Sequence, residues 1–214
     1  MITLDYSTTA SFDIDCQQGF TPLCPLELPV PDGDTIVSEL NHQSTFAKYR
    51  LCSKDAHPPQ AVWRATETTP QFTPMKLQNS NMFWNMHCMV GTQGFELIPG
   101  LPKMSSYDFF IYKGVETDLH PYSPIYHDLD KKISTGIIEW LKAKGVRTVI
   151  VGGLALNYCM GEGALDLQAA GFDVIVNLAA TKGLGSQEDL DKYVKVLREA
   201  QIVCIENSNM LTVA

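Results

Sequence analysis

The sequence predicts an α/β fold in three layers, with helices on both faces of a mainly parallel sheet of roughly six strands. Two observations carry this. Strand-forming runs alternate with helical ones along the 214 residues. The composition, 45% hydrophobic and 19% charged, is that of a globular chain able to bury its own core. A single domain over residues 1–214 follows from that length.

The elements read in order as follows. Ala10–Asp15 is the first strand, and a helix is expected over Gly33–Phe46. Tyr49–Ser53 is a strand that ends at Lys54-Asp55, and Tyr107–Tyr112 is another, followed at once by Lys113-Gly114. The pattern of Ile133, Ile137, Ile138, Trp140 and Leu141 predicts a helix over Leu129–Lys144 with Gly145 as its C-terminal stop. A strand at Arg147–Gly152, a helix at Tyr158–Ala170 and a strand at Phe172–Asn177 come next. Helix Gln187–Ala200 and strand Ile202–Glu206 close the chain. The Gly183-Leu-Gly-Ser186 run lies too far past a strand for a phosphate loop and is read as a plain loop.

Between Ala56 and Ser106 the chain is rich in Pro, Thr, Gln, Asn and Met and shows no sustained period. A stretch of that length inside a compact domain is expected to serve a site. It holds His57, Trp84 and His87, and is read as the wall and lid of an active site.

A formal net charge of −8, without a cluster of Lys or Arg, argues against nucleic acid as a partner. The Lys131-Lys132 pair is read as an exposed helix start. No apolar run is long enough to span a membrane, and the first ten residues lack the basic start and apolar stretch of a secretory signal. The six cysteines form no CxxC pair and suit neither a zinc ribbon nor a disulfide framework. A cytoplasmic setting is therefore expected, and a homo-oligomer is compatible with the sequence.

Cys159 follows a strand, two glycines and a short turn, where a helix begins. A helix start favours a thiolate, and the carboxyl end of a parallel strand is where an open sheet places its chemistry. Lys113 ends another strand and would lower the thiol pKa, while a carboxylate ending the first strand could accept its proton. Asp13 and Asp15 both meet that description, and spacing does not choose between them. Asp55 and His57 project to one side of an extended chain, and with His87 they form a set suited to one divalent ion, zinc first, with iron or manganese as alternatives. His42, His120 and His127 lie in polar surroundings and are read as surface residues.

Five stretches occur in order: Asp15-Cys-Gln-Gln-Gly-Phe20, Ser53-Lys-Asp-Ala-His-Pro58, Trp84-Asn-Met-His-Cys88 with Gly91-Thr, Lys113-Gly114 with Tyr122-Ser123, and Gly153-Leu-Ala-Leu-Asn-Tyr-Cys159. Together they resemble the nicotinamidase/pyrazinamidase branch of the isochorismatase-like cysteine hydrolases. The resemblance implies hydrolysis of nicotinamide to nicotinate and ammonia, and it selects Asp15, two residues before Gln17, over Asp13. It implies a Cys159–Asp15–Lys113 triad and a metal on Asp55, His57 and His87. It also implies an oxyanion hole from the Ala155 and Cys159 N–H groups, aided by a cis peptide before Ala155. Phe20, Trp84, Leu154 and Tyr122 are expected at the substrate pocket. Some members add a further His or Glu to the metal; Glu67 is the nearby residue of that kind and is left unassigned. Asn157 stands where the family often has Asp, and Ala179-Ala-Thr-Lys182 replaces a common Asp-Ala-Cys-Arg or Asp-Ala-Thr-Arg segment. The rival readings are another amide or carbamoyl hydrolase of the superfamily and a silent binding module on the same fold.

Overall fold

The computed structural model describes residues 1–214. The first half holds β1 (Ile2–Leu4), β2 (Thr9–Ile14), α1 (Val37–Ser44), β3 (Tyr49–Asp55), β4 (Pro74–Leu77) and β5 (Ser80–Met82). The second half holds β6 (Phe109–Lys113), α2 (Ile137–Ala143), β7 (Thr148–Leu154), α3 (Cys159–Ala169), β8 (Asp173–Lys182), α4 (Gln187–Glu199), β9 (Val203–Ile205) and β10 (Leu211–Val213).

Six strands form the central sheet in the order β6-β3-β2-β7-β8-β9, and every neighbouring pair is parallel. Parallel strands need crossovers, and the helices that supply them cover both faces. On one face Ala10, Phe12 and Ile14 of β2 pack with Ile137 and Leu141 of α2, Met160, Ala164 and Leu167 of α3, and Leu197 of α4. On the other, Leu40 of α1 packs with Leu154 and Ala180. This second face also carries buried polar groups: Gln43 of α1 donates to Ser11 Oγ at 3.3 Å and accepts from Asn177 at 3.0 Å. The period of two along β2 thus separates an apolar layer from a hydrogen-bonded one. No helix is long and apolar enough to cross a membrane.

The expected strands and the helices at 158–170 and 187–200 are present within a few residues, but one helix is much shorter than its sequence pattern. Of Leu129–Lys144, only Ile137–Ala143 is α-helical. The Asp128 carboxylate accepts the N–H groups of Lys132 at 3.0 Å and Ile133 at 2.8 Å, which closes a turn in place of a helix. Gly136, at φ 88°, then sets the helix start, and Ile133 is left 57% exposed. The first turn of the expected Gly33–Phe46 helix is 3-10. Two short pairings were not expected: β1 with β10, and the β4–β5 hairpin inside the 56–106 stretch.

Where β2 and β7 part, their backbones come very close. A Cβ on Gly153, at φ 123°, would lie 2.0 Å from the Ile14 carbonyl oxygen. Gly153→Ala should therefore cost about 3 kcal/mol or more in urea denaturation, from overpacking and backbone strain together.

Candidate active site

The chain adds β3 and β6 on one side of β2, and β7, β8 and β9 on the other. The carboxyl ends of β2 and β7 flank that reversal, and an open α/β sheet receives ligands there. Asp55 and Lys113 are register partners at the ends of β3 and β6. Asp15 follows β2 with φ at 49°, and Cys159 opens α3 past the turn that leaves β7. Asp15, Asp55 and Cys159 each bring a side-chain oxygen or sulfur within 4.8 Å of the others.

Lys113 holds this set together. Its fully buried Nζ lies 3.1 Å from Asp15 Oδ2 and 3.5 Å from Cys159 Sγ. It also donates to Asp55 Oδ1 and, at 3.1 Å, to the Pro121 carbonyl. Burial works to lower the Lys113 pKa, but Asp15, Asp55 and Cys159 outweigh it and hold the ammonium charged. Asp15 and Asp55 are driven apart. Burial raises the Asp15 pKa in spite of Lys113. At Asp55 burial is overcome by Lys113 and His57, which keep that carboxyl below the usual range. Burial also pushes the Cys159 thiol well up against the pull of Lys113. Burial thus opposes the thiolate that the helix start and Lys113 favour, and the neighbouring Asp15 is a carboxyl whose pKa burial also raises. Asp13, the competing carboxylate, is spent elsewhere: Arg50 Nη2 lies 2.7 Å from its Oδ2, and the Tyr107 hydroxyl donates to it at 2.9 Å.

Two buried side chains that the sequence did not single out fix the carboxylates. Ser53 Oγ donates to Asp15 Oδ1 at 2.7 Å. The Gln17 amide grips both backbone groups of Asp55, accepting its N–H at 2.7 Å and donating to its carbonyl at 2.8 Å.

The residues that could hold a metal meet behind Asp55. His57 Nδ1 lies 3.1 Å from the Gly114 carbonyl and His87 Nδ1 lies 2.6 Å from that of Asn85. A ring nitrogen facing a carbonyl carries the proton, which leaves both Nε2 lone pairs free. They lie 3.5 Å and 3.9 Å from Asp55 Oδ2. Asp55 Oδ2, His57 Nε2 and both nitrogens of His120 are buried without a hydrogen-bond partner. Burial, then His57, lowers the His87 pKa to about 3, and burial holds that of His120 well below its ordinary value, which favours the neutral rings that ligands need. Gly114 closes the cradle; a Cβ there would lie 2.4 Å from His57 Cε1. These donors fit a divalent first-row ion.

His120, read from the sequence as a surface residue, is 4% exposed and groups with His57 and His87. It packs in the chain's interior because Trp63 donates to the Leu119 carbonyl at 2.9 Å and the Asn79 carbonyl accepts the His120 N–H at 2.8 Å. A signal was available: His120-Pro121 repeats the His57-Pro58 pairing. Glu67 is exposed and away from this cluster.

A pocket opens between these groups, lined by Phe20, Leu28, Val30, Trp84, Tyr122, Tyr158 and Leu184 above Asp55, His87, His120, Ala155 and Cys159. Its largely apolar and aromatic lining, with a few convergent polar groups, suits a small ring compound. Leu154, expected here, is fully buried and absent from the lining; it packs beneath, with its Cδ1 toward Gly33. Tyr158 and Leu184 were not foreseen. The Leu154–Ala155 peptide is cis, and the N–H groups of Ala155 and Cys159 have no backbone acceptor.

Comparison with known proteins gives a consistent picture. Residues 9–206 match the isochorismatase domain family. A nicotinamidase of Acinetobacter baylyi is 28% identical over 201 residues, which cover 92% of each chain. The solved structure of an Acinetobacter baumanii nicotinamidase/pyrazinamidase superposes with a TM-score of 0.86 at 28% identity, covering 96% of this chain and 99% of that one. A zinc-bound pyrazinamidase of Pyrococcus horikoshii gives a TM-score of 0.72 at 26% identity, over 92% of this chain and 98% of its own.

Removing the ammonium would leave two buried carboxylates unbalanced. Lys113→Ala should lower unfolding stability by about 3–5 kcal/mol. Lys131 pairs with Asp166 at 2.6 Å but is 43% exposed, so Lys131→Ala should cost at most about 1 kcal/mol in the same denaturation series.

Proposed function

This chain belongs to the isochorismatase domain family, and on that footing we propose that it is a nicotinamidase, a cysteine amidohydrolase that converts nicotinamide to nicotinate and ammonia and also accepts pyrazinamide. The observation that carries the reading is the single buried ammonium in reach of a thiol, a carboxylate of raised pKa and a carboxylate that faces three imidazoles. Its six free thiols suit a reduced, cytoplasmic setting.

In this mechanism Asp15 takes the Cys159 proton as sulfur attacks the carboxamide carbon, so the thiolate forms only with substrate in place. Lys113 stays charged beside both groups and offsets the anion as it moves between them. The oxyanion meets the Ala155 and Cys159 N–H groups, which no backbone acceptor occupies; a donor of this kind contributes roughly 3–4 kcal/mol. Asp15 then gives its proton to departing ammonia, leaving a thioester on Cys159. Water cleaves it, with Asp15 as base and the thiol reformed. Phe20, Trp84, Tyr122 and Tyr158 sandwich the ring and exclude bulk water. Asp55, His57, His87 and His120 would hold one divalent ion, zinc by its donor set, whose chemistry when bound is to anchor the pyridine nitrogen as a Lewis acid.

The reaction is tested by ammonia release from nicotinamide. Cys159→Ala should abolish turnover while the fold remains, and Asp15→Asn should lower it by several orders of magnitude. Asp13→Asn should retain turnover, since Asp13 serves Arg50 and Tyr107; equal sensitivity at both positions would assign the wrong base.

Elemental analysis should find one equivalent of metal per chain. His57→Ala, His87→Ala and His120→Ala should each lower its affinity, while Glu67→Ala should not. Chelation should abolish nicotinamide hydrolysis yet barely change the slow hydrolysis of benzamide, which lacks the ring nitrogen. Parallel loss of both would show that the ion serves the chemistry and not the anchoring.

A further inference from the structure

One wall of the pocket comes from outside the stretches that carry the reacting groups. Beyond β8 the chain passes through Gly183, Leu184 and Gly185 before Ser186 caps α4, and Leu184 lines the pocket with Trp84, Tyr158 and Cys159. A slip in register brings it there. Val151 pairs with Val176, but Gly153 pairs with Thr181, so β8 bulges and its end moves along β7 toward the nucleophile. Thr181 Oγ1 donates to the Gly153 carbonyl at 2.7 Å, and the Lys182 carbonyl accepts the Leu156 N–H at 2.8 Å.

Asn157 then holds the turn. Its Nδ2 donates to the Leu184 carbonyl at 2.8 Å, and its Oδ1 accepts the Leu184 N–H at 3.0 Å. One side chain, two positions before Cys159, thus satisfies both polar groups of Leu184. A carboxylate of the same shape could accept the N–H but would set an oxygen against the carbonyl. The turn leaves no spare room, since a Cβ on Gly183 would lie 2.3 Å from Leu190 Cδ2 and 3.0 Å from Asn157 Oδ1. Gly183 and Gly185, which flank Leu184 in the chain, line a separate open groove and not this pocket. Leu184 offers no hydrogen bond from its side chain and can select only by shape.

We propose that Leu184, pinned by Asn157, is a specificity-determining wall of this pocket, which excludes aromatic carboxamides bearing a substituent on the ring edge that faces it. Asn157 is the positioning residue. The inference rests on the amidase reading above and assigns that reading a substrate class, ring carboxamides unsubstituted on one edge.

The test compares kcat/KM for nicotinamide and for its ring-methylated isomers in the unaltered protein and in Leu184→Ala, Leu184→Phe and Asn157→Asp, with thermal unfolding of each. Leu184→Ala should raise the methylated-to-parent ratio by about tenfold or more for at least one isomer, the usual worth of a methyl group in an apolar pocket. Leu184→Phe should lower the ratio for that same isomer. Asn157→Asp should shift it in the direction of Leu184→Ala, acting through KM more than kcat. Unchanged ratios in folded variants that still hydrolyse nicotinamide would overturn the proposal and leave the amidase reading intact. If the unaltered protein leaves nicotinamide untouched, that reading falls instead. The wall is then judged by equilibrium binding of the same methylated carboxamides: a gain of about tenfold in Leu184→Ala supports it, and no gain overturns it.

Discussion

A buried lysine ammonium between two carboxylates is the constraint on which the rest of this structure depends. Moving an ion from water into a protein interior costs several kcal/mol even after relaxation, and only close partners return that cost. Lys113 has Asp15, Asp55, the Pro121 carbonyl and Cys159 around it. Two carboxylates against one ammonium leave a negative charge inside the protein. The imidazoles of His87 and His120, held neutral by burial, cannot balance it, whereas a cation held on the unpartnered Asp55 oxygen would. The same asymmetry divides the labour of the two acids. Asp55, gripped by Lys113 and facing the histidines, stays ionised, while Asp15, whose burial outweighs its partner, is free to receive a proton.

Such a centre works only if its members are held rigidly, and the holding groups are largely backbone. Gln17 locks the Asp55 peptide and Ser53 orients Asp15, while the Asn85 and Gly114 carbonyls fix the tautomers of two imidazoles. The 56–106 stretch reaches across to the 118–122 segment through its hairpin. Ser80 donates to the Asp118 carbonyl at 2.7 Å, Asn79 accepts the His120 N–H at 2.8 Å, and Asn81 accepts the Tyr122 hydroxyl at 2.7 Å. One irregular segment thereby positions both a candidate ligand and a pocket wall. Of the proposed reacting side chains, only Cys159 comes from a helix, at the start of α3.

The sheet was legible because its inner strands are buried on both faces and read as continuous runs such as Thr148–Leu154. The 129–144 segment misled because apolar spacing is blind to a competing carboxylate: Asp128 captures the amides that a helix would have needed. His120 was missed for a related reason. Its neighbours in sequence, Asp118 and Pro121, are polar or turn-forming, and its burial comes from Trp63, Trp84 and the hairpin, all distant along the chain.

From its residues alone the chain determined that strand ends would carry Asp15, Asp55 and Lys113 and that a helix would open at Cys159, since periodicity and punctuation are local properties. The choice of Asp15 over Asp13 as the proposed base came from resemblance; in the structure Arg50 and Tyr107 occupy Asp13, while Asp15, at a positive φ, lies against Lys113. Which histidine joins the cradle, which leucine lines the pocket and how strongly burial opposes the thiolate were decided only in three dimensions. Each depends on desolvation and contact between residues far apart in sequence, and those quantities do not exist until the chain has folded.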